Sequence, residues 1–269
     1  MNRCIRSLIG VMAFVFGSAF VLQQQLHAQE PKAATLRWYG QSFFQLETAS
    51  GKRIVFDPHA IPEFGRHVVQ ADLILCTHLH TDHAQVGIVE NYKSARVFNG
   101  LKEGKKGRPA EWNIVDEKVG PIRIRTVGLY HDSREGMERG KNAAWIVEAD
   151  GLTYCHLGDL GHELTPAQVK AIGSVDVLLI PVGGIYTLNG ELAKRVVAQL
   201  KPKRIVVPMH YAVPGYDELL TPEEFLDEQP NVKKLTTTNE LSIPLEAKVD
   251  APAIVLLGWK KEEAAVPKK

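Results

Sequence analysis

Short apolar runs recur along the chain, and their setting changes midway. In the first half they follow one another as strands joined by turns. Thr35–Tyr39 and Ser42–Glu47 flank Gly40, and Arg53–Phe56 follows the turn signal Ser50-Gly51-Lys52. Asp72–Thr77 reads as a buried strand around the apolar run Leu73–Cys76. Residues 84–92 suit a short helix after it. Further strands are expected at Ala95–Phe98, Trp112–Val115, Ile122–Leu129, Ala143–Ala149 and Leu152–His156, the last two joined by the hairpin dipeptide Asp150-Gly151. After Asp159, strands alternate with helices. Thr165-Pro166 opens a helix, Asn189 caps Gly190–Leu200, and Thr221-Pro222-Glu223-Glu224 reads as a third helix start. Val175–Ile180 and Arg204–Val207 are buried strands between them, and short strands near 232–237, 241–244 and 253–258 complete the pattern.

Composition adds bounds. Of 269 residues, 45% are hydrophobic and 23% charged, which is enough apolar material for one sizeable core. Lys and Arg number 32 against 31 Asp and Glu, a balance that argues against a nucleic-acid footprint. The first 28 residues stand apart. Arg3 and Arg6 precede an apolar run from Leu8 to Leu22, and small Ala28 offers a cleavage point. The run is about 15 residues, shorter than the ~20 of a spanning helix. We read residues 1–28 as a signal peptide directing export to a periplasm or the exterior, with an anchor at residues 8–22 as the alternative and no stable membrane insertion once the signal is removed. Residues 29–34 read as a linker, 35–258 as the domain and 259–269 as a flexible tail. Cys76 and Cys155 lie in apolar strands and read as buried small hydrophobes, with a disulfide left open.

Chemistry concentrates in Thr77-His78-Leu79-His80-Thr81-Asp82-His83, directly after an apolar strand. Imidazole and carboxylate are the ligands of zinc-like ions. His78 and His80 fall on one side of an extended segment, because side chains alternate. Three more polar residues end apolar strands: His131, Asp159 and His210. Such strand ends converge on one sheet edge, where α/β proteins build their sites.

This His/Asp series resembles the metallo-β-lactamase-fold superfamily over roughly residues 35–258. Trp38–Ser42, Asp57-Pro58, His156–His162, Pro181–Gly184 and Pro208–Tyr211 resemble its stand-alone β-lactamase-superfamily-domain hydrolases, related to bacterial ascorbate-6-phosphate lactonase. The resemblance implies an α/β fold of the αββα type, two mixed β-sheets face to face with helices outside. It implies that His78, His80 and His131 hold one metal, that Asp82, His83 and His210 hold a second, and that Asp159 bridges. Asp57 would support the site. Some relatives carry a histidine where this chain has Gln41, so position 41 is not counted as a ligand. Tyr186 and Tyr211 follow strand ends and are supporting candidates. Loops 59–70, with His59 and His67, and 132–142 are candidate walls, the latter as a mobile lid; Arg134, Arg139 and Lys141 could attract an anion.

Two divalent ions can share a water and lower its pKa from about 15.7 toward ~7, giving a hydroxide at neutral pH. The expected function is therefore hydrolysis of a lactone, ester, amide or phosphoester in a small molecule, with Asp82 and Asp159 moving the proton. Zinc is the first choice for a nitrogen-rich site, with manganese or iron open. A non-catalytic metal binder and a redox diiron relative are the competing readings. The leader makes its own prediction: N-terminal sequencing of the exported chain should start after Ala28, and an intact N-terminus on a membrane-bound chain would favour the anchor.

Overall fold

A computed structural model describes residues 32–105, 108–246 and 249–259. The expected signal peptide and the last ten residues of the expected tail lie outside the described residues, as do residues 29–31 of the linker. The first strand, β1 (Ala33–Trp38), starts two residues inside that expected linker. It is followed by β2 (Phe44–Glu47), β3 (Arg53–Phe56), β4 (Leu73–Cys76) and β5 (Arg96–Asn99). A two-stranded ribbon, β6 (Leu101–Lys102) and β7 (Glu111–Trp112), leads to β8 (Asp116–Val119), β9 (Ile122–Tyr130), β10 (Lys141–Ala149) and β11 (Leu152–His156). Then come α1 (Pro166–Ile172), β12 (Val177–Pro181), α2 (Gly190–Leu200), β13 (Ile205–Met209), α3 (Glu223–Leu226), β14 (Val232–Leu235), β15 (Glu240–Pro244) and β16 (Ala253–Leu257).

Two mixed sheets result. The first runs β15-β1-β2-β3-β4-β5, antiparallel up to β3 and parallel beyond it. The second runs β14-β16-β13-β12-β11-β10-β9-β8, antiparallel from β8 to β11 and parallel from β11 onward. The alternation of β4 shows how they pack. Leu73 and Leu75 join the main core with Trp145, Ile146 and Leu179, while Ile74 and Cys76 face a second cluster with Tyr39, Phe43, Val55 and Val89. A strand covered on both faces has no place for a polar residue, which is why β4 reads as an unbroken apolar run. Trp145 Nε1 donates to the Cys76 carbonyl at 3.0 Å, joining the sheets just before the histidine motif.

Helix caps follow the sequence closely in two cases. Thr165 and Gln168 form a reciprocal capping box ahead of Pro166. Asn189 accepts from the Leu192 N–H at the start of α2, which buries Ala193, Val196 and Leu200 at helical spacing. Two expectations are corrected. Residues 84–92 form a 3-10 turn at Val86–Ile88 and further turns. Gly87 and the β-branched Val86, Ile88 and Val89 disfavour an α-helix there, while Val89 is buried in the second cluster. α3 spans four residues, and Pro222 rather than Thr221 stands at its cap without a side-chain bond. The strand β8 was not expected, because Asp116, Glu117 and Lys118 are all exposed on a sheet edge and carry no apolar alternation. Cys76 and Cys155 are buried, free thiols in different clusters, and burial pushes Cys155 up to about 12.

Asp72 ties three strands of the first sheet. Its carboxylate accepts from Lys52 Nζ at 2.8 Å and the Arg53 N–H at 2.9 Å, and its carbonyl accepts from the Arg96 N–H at 3.0 Å. Partial burial raises its pKa, but the Lys52 and Arg53 contacts outweigh that and leave it below the ordinary value. The folded chain therefore binds this proton less readily than the unfolded one. The stabilisation is complete above about pH 4 and is lost as pH falls through the depressed value. Urea unfolding should show Asp72→Asn less stable by roughly 1 kcal/mol or less at pH 7, with the gap narrowing as pH falls below about 4. A gap that does not change with pH would mean that the charge contributes nothing.

Candidate metal centre

Every candidate ligand follows the carboxyl end of a strand. Asp57 follows β3, Thr77–His83 follows β4, His131 follows β9, Asp159 lies just past β11 and His210 ends β13. Asp57 and His210 carry left-handed φ values of +43° and +53°, so the chain breaks out of the strand at the ligand itself. Gly183 makes room for this at His210. A Cβ at position 183 would stand 2.1 Å from the His210 carbonyl oxygen, which accepts from the Gly183 N–H at 3.0 Å.

The buried carboxylate of Asp57 organises the histidine loop. Its oxygens accept from the Thr77 N–H at 2.7 Å, the Thr77 hydroxyl at 2.7 Å and His83 Nδ1 at 2.9 Å. These contacts fix which ring nitrogens face the cavity. His83 donates from Nδ1, so Nε2 is the atom turned toward Asp159. Thr77 spends its one hydrogen on Asp57, so at the 3.0 Å contact with His78 the Nδ1 is the donor. The bare His78 Nε2 then lies 3.0 Å from His80 Nδ1.

The centre is the Asp159 carboxylate. His83, His131 and His210 each bring Nε2 to its Oδ2, at 3.1, 3.2 and 3.2 Å, and Ser42 Oγ donates to Oδ1 at 3.3 Å. Burial alone would raise the pKa of Asp159, but the charges of His210 and His83 hold it well below the carboxylate range. Burial opposes a proton on His83, yet Asp159 and Asp57 outweigh it and push His83 well above its ordinary value. For His78, burial and the neighbouring His83 both act to keep the ring neutral. The cavity therefore calls for positive charge, and protons and metal ions compete for the same lone pairs.

Ligand atoms come within 4.8 Å of one another in the groups His78–His80–His131 and His83–Asp159–His210; the resemblance put Asp82 with His83 and His210, and Asp82 is not part of the second group. A third group, Asp57–His78–His83, includes the brace whose oxygens are already taken by Thr77 and His83. The buried His83 Nε2 lies 3.1 Å from Asp159 Oδ2 without an aligned hydrogen bond. A cation held by these two groups would satisfy both, so the donor set fits a metal. Asp82 stands at the edge of the second group, with Oδ2 3.6 Å from His83 Nε2 and its side chain 39% exposed.

The remaining candidates separate. Tyr211 is buried, packs on Trp38 with ring centroids 5.0 Å apart and donates to the Leu257 carbonyl, so it supports the β1–β2 turn from below. Tyr186 is exposed and lies under the Arg139 guanidinium at 5.4 Å. The expected mobile lid is a closed loop instead. Asp132 accepts from the N–H groups of Arg134, Gly136, Glu138 and Arg139, which fastens 132–140 into one unit. His59 is buried against the Gly40 carbonyl, and burial lowers its pKa to about 4. The sequence reading missed Thr77, Ser42, Asp132 and the inward side chain of Gln41. Gln41 alone had a signal, since it stands where relatives carry a histidine.

Similarity to known proteins places the chain in a family. Residues 35–210 match the family described as the β-lactamase superfamily domain. The chain belongs to that family. It is, by family, a metal-dependent hydrolase of the metallo-β-lactamase superfamily. A Pyrococcus furiosus protein named a metal-dependent hydrolase is 34% identical over 191 residues, covering 64% of this chain and 82% of that one. A Staphylococcus carnosus protein of the same description is 27% identical over 77% of this chain and 95% of its own. A Thermotoga maritima structure, described as a Zn-dependent hydrolase of the metallo-β-lactamase superfamily, aligns with a TM-score of 0.61 and 32% identity, over 84% of this chain and 98% of that one.

If Asp57 orients His83 as described, Asp57→Asn should weaken zinc binding by roughly 10- to 100-fold. Competition with a chromophoric chelator measures this, and unchanged affinity would remove Asp57 from the supporting role.

Proposed function

We propose that this family member binds two divalent metal ions and hydrolyses a lactone, ester, amide or phosphoester bond in a small molecule. One observation carries the reading. Three buried imidazoles converge on a single oxygen of Asp159, beside the His78–His80 pair. His78, His80 and His131 would hold one ion, and Asp82, His83 and His210 the other, with Asp159 between them. Bound there, two divalent cations supply Lewis acidity, lowering the pKa of a water toward ~7 and polarising the bond to be cut. The nitrogen-rich donor set suits zinc, and manganese and iron accept the same donors.

The chain's own groups do the rest. Asp159 stays ionised because its neighbours hold its pKa down, so it accepts a hydrogen bond from the attacking water and keeps it oriented. Asp82, half-exposed, is placed to take the proton and pass it to the leaving group or to solvent. A cavity of about 290 Å³ opens beside His78 and His80, lined also by Leu101, Glu135, Arg139 and Lys141, a size that can take a small molecule. The Arg3–Ala28 leader pattern supports action outside the cytoplasm.

The test is a metal-resolved screen of the mature chain against lactones, esters, amides, β-lactams and phosphodiesters. Asp159→Ala and His210→Ala should each lower bound metal and reduce turnover of any hit by about a hundredfold or more. Wild-type metal content in both variants would sink the ligand assignment. Bound metal with no turnover across the screen would favour a non-catalytic metal binder.

A further inference from the structure

Gln41 lies in the turn between β1 and β2, with a left-handed φ of +44° and only 2% exposure. Its main chain holds the turn without help from the side chain. The carbonyl accepts from Trp38 Nε1 at 2.9 Å and from the His210 N–H at 3.1 Å. The side-chain amide reaches into the metal centre. Nε2 lies 2.7 Å from Asp82 Oδ2 and 3.4 Å from His210 Nε2. A carboxylate oxygen can only accept, so the amide must turn its N–H toward Asp82 and its carbonyl away. That carbonyl, Oε1, is buried and has no hydrogen-bond partner. The N–H is thus aimed at Asp82 even though this leaves the oxygen unpaired.

The other braces of the site show what this contact does. Asp57 holds His83, Thr77 holds His78 and Ser42 holds Asp159, each from a buried position. Asp82 differs in being half-exposed on a loop, where a carboxylate would otherwise sample several rotamers. We propose that Gln41 is the positioning residue of the second metal subsite. Its amide N–H clamps Asp82 beside His83 and His210. A neutral amide does this without adding charge to a site that already holds Asp82 and Asp159, and without adding a further imidazole at position 41. This proposal rests on the two-ion reading above.

The test is an equilibrium zinc titration of the full chain against a chromophoric chelator, reading the two affinities separately. Gln41→Met keeps the length of the side chain and removes the amide. It should weaken one of the two ions by about 10- to 100-fold and leave the affinity of the other unchanged. Gln41→Asn favours the left-handed φ and withdraws the amide by one methylene, so it should show the same loss even if the Met variant folds poorly. Thermal unfolding of the metal-free proteins should show Gln41→Asn as stable as wild type. In an Asp82→Ala background either substitution should have little further effect, because Gln41 acts through Asp82. Wild-type affinities for both ions in Gln41→Asn, or an undiminished loss in the Asp82→Ala background, would overturn the proposal. A wild-type chain that binds one ion or none would instead overturn the two-ion reading, and the proposal with it.

Discussion

A fully buried carboxylate at the end of β3 holds the metal centre in shape. Removing Asp57 from water is costly unless its oxygens are hydrogen-bonded, and Thr77 and His83 provide the bonds. The partners come from the two ends of one loop, so the same contacts that satisfy Asp57 close the loop and orient both histidines. His78 and His83 thereby turn Nε2 toward the cavity. The geometry is in place before any ion arrives, which lowers the reorganisation that binding would otherwise require.

The site also depends on the sheets being held in register. Trp145 of β10 donates to the carbonyl of Cys76, directly ahead of the motif. His156, at the end of β11, reaches the Ser42 carbonyl at 2.9 Å, accepts from the Gly158 N–H and stacks on Phe56. Asp159 and Ser42 are thus drawn together from different sheets. Each sheet supplies part of the candidate ligand set: His78, His80, Asp82 and His83 follow strands of the first, His131, Asp159 and His210 strands of the second. Packing of the apolar faces against one another is what brings the two parts within bonding distance.

Legibility in the sequence followed the kind of signal. Strands covered on both faces, such as β4 and β12, were readable because burial on both sides leaves no polar position. Helix starts at Thr165 and Asn189 were readable because the cap is a local bond between near neighbours. The stretch after His83 misled for the opposite reason. Its apolar residues serve a long-range cluster against β3 and β4, and turns satisfy that as well as a helix does. The loop after His131 misled too, since glycine and charge suggest mobility while one carboxylate, Asp132, collects four backbone donors.

The sequence by itself determined the chemistry: which imidazoles and carboxylates end the strands, in what order, and with what family likeness. Those are properties of residue type and of short-range periodicity. Tertiary structure decided how the residues are arranged. It set Asp159 as the meeting point of three rings, Asp57 as brace, Tyr211 as packing and Gln41 as an inward amide. Each of these depends on contacts between residues many positions apart, such as the link between Gln41 and His210, and no local pattern encodes such a distance.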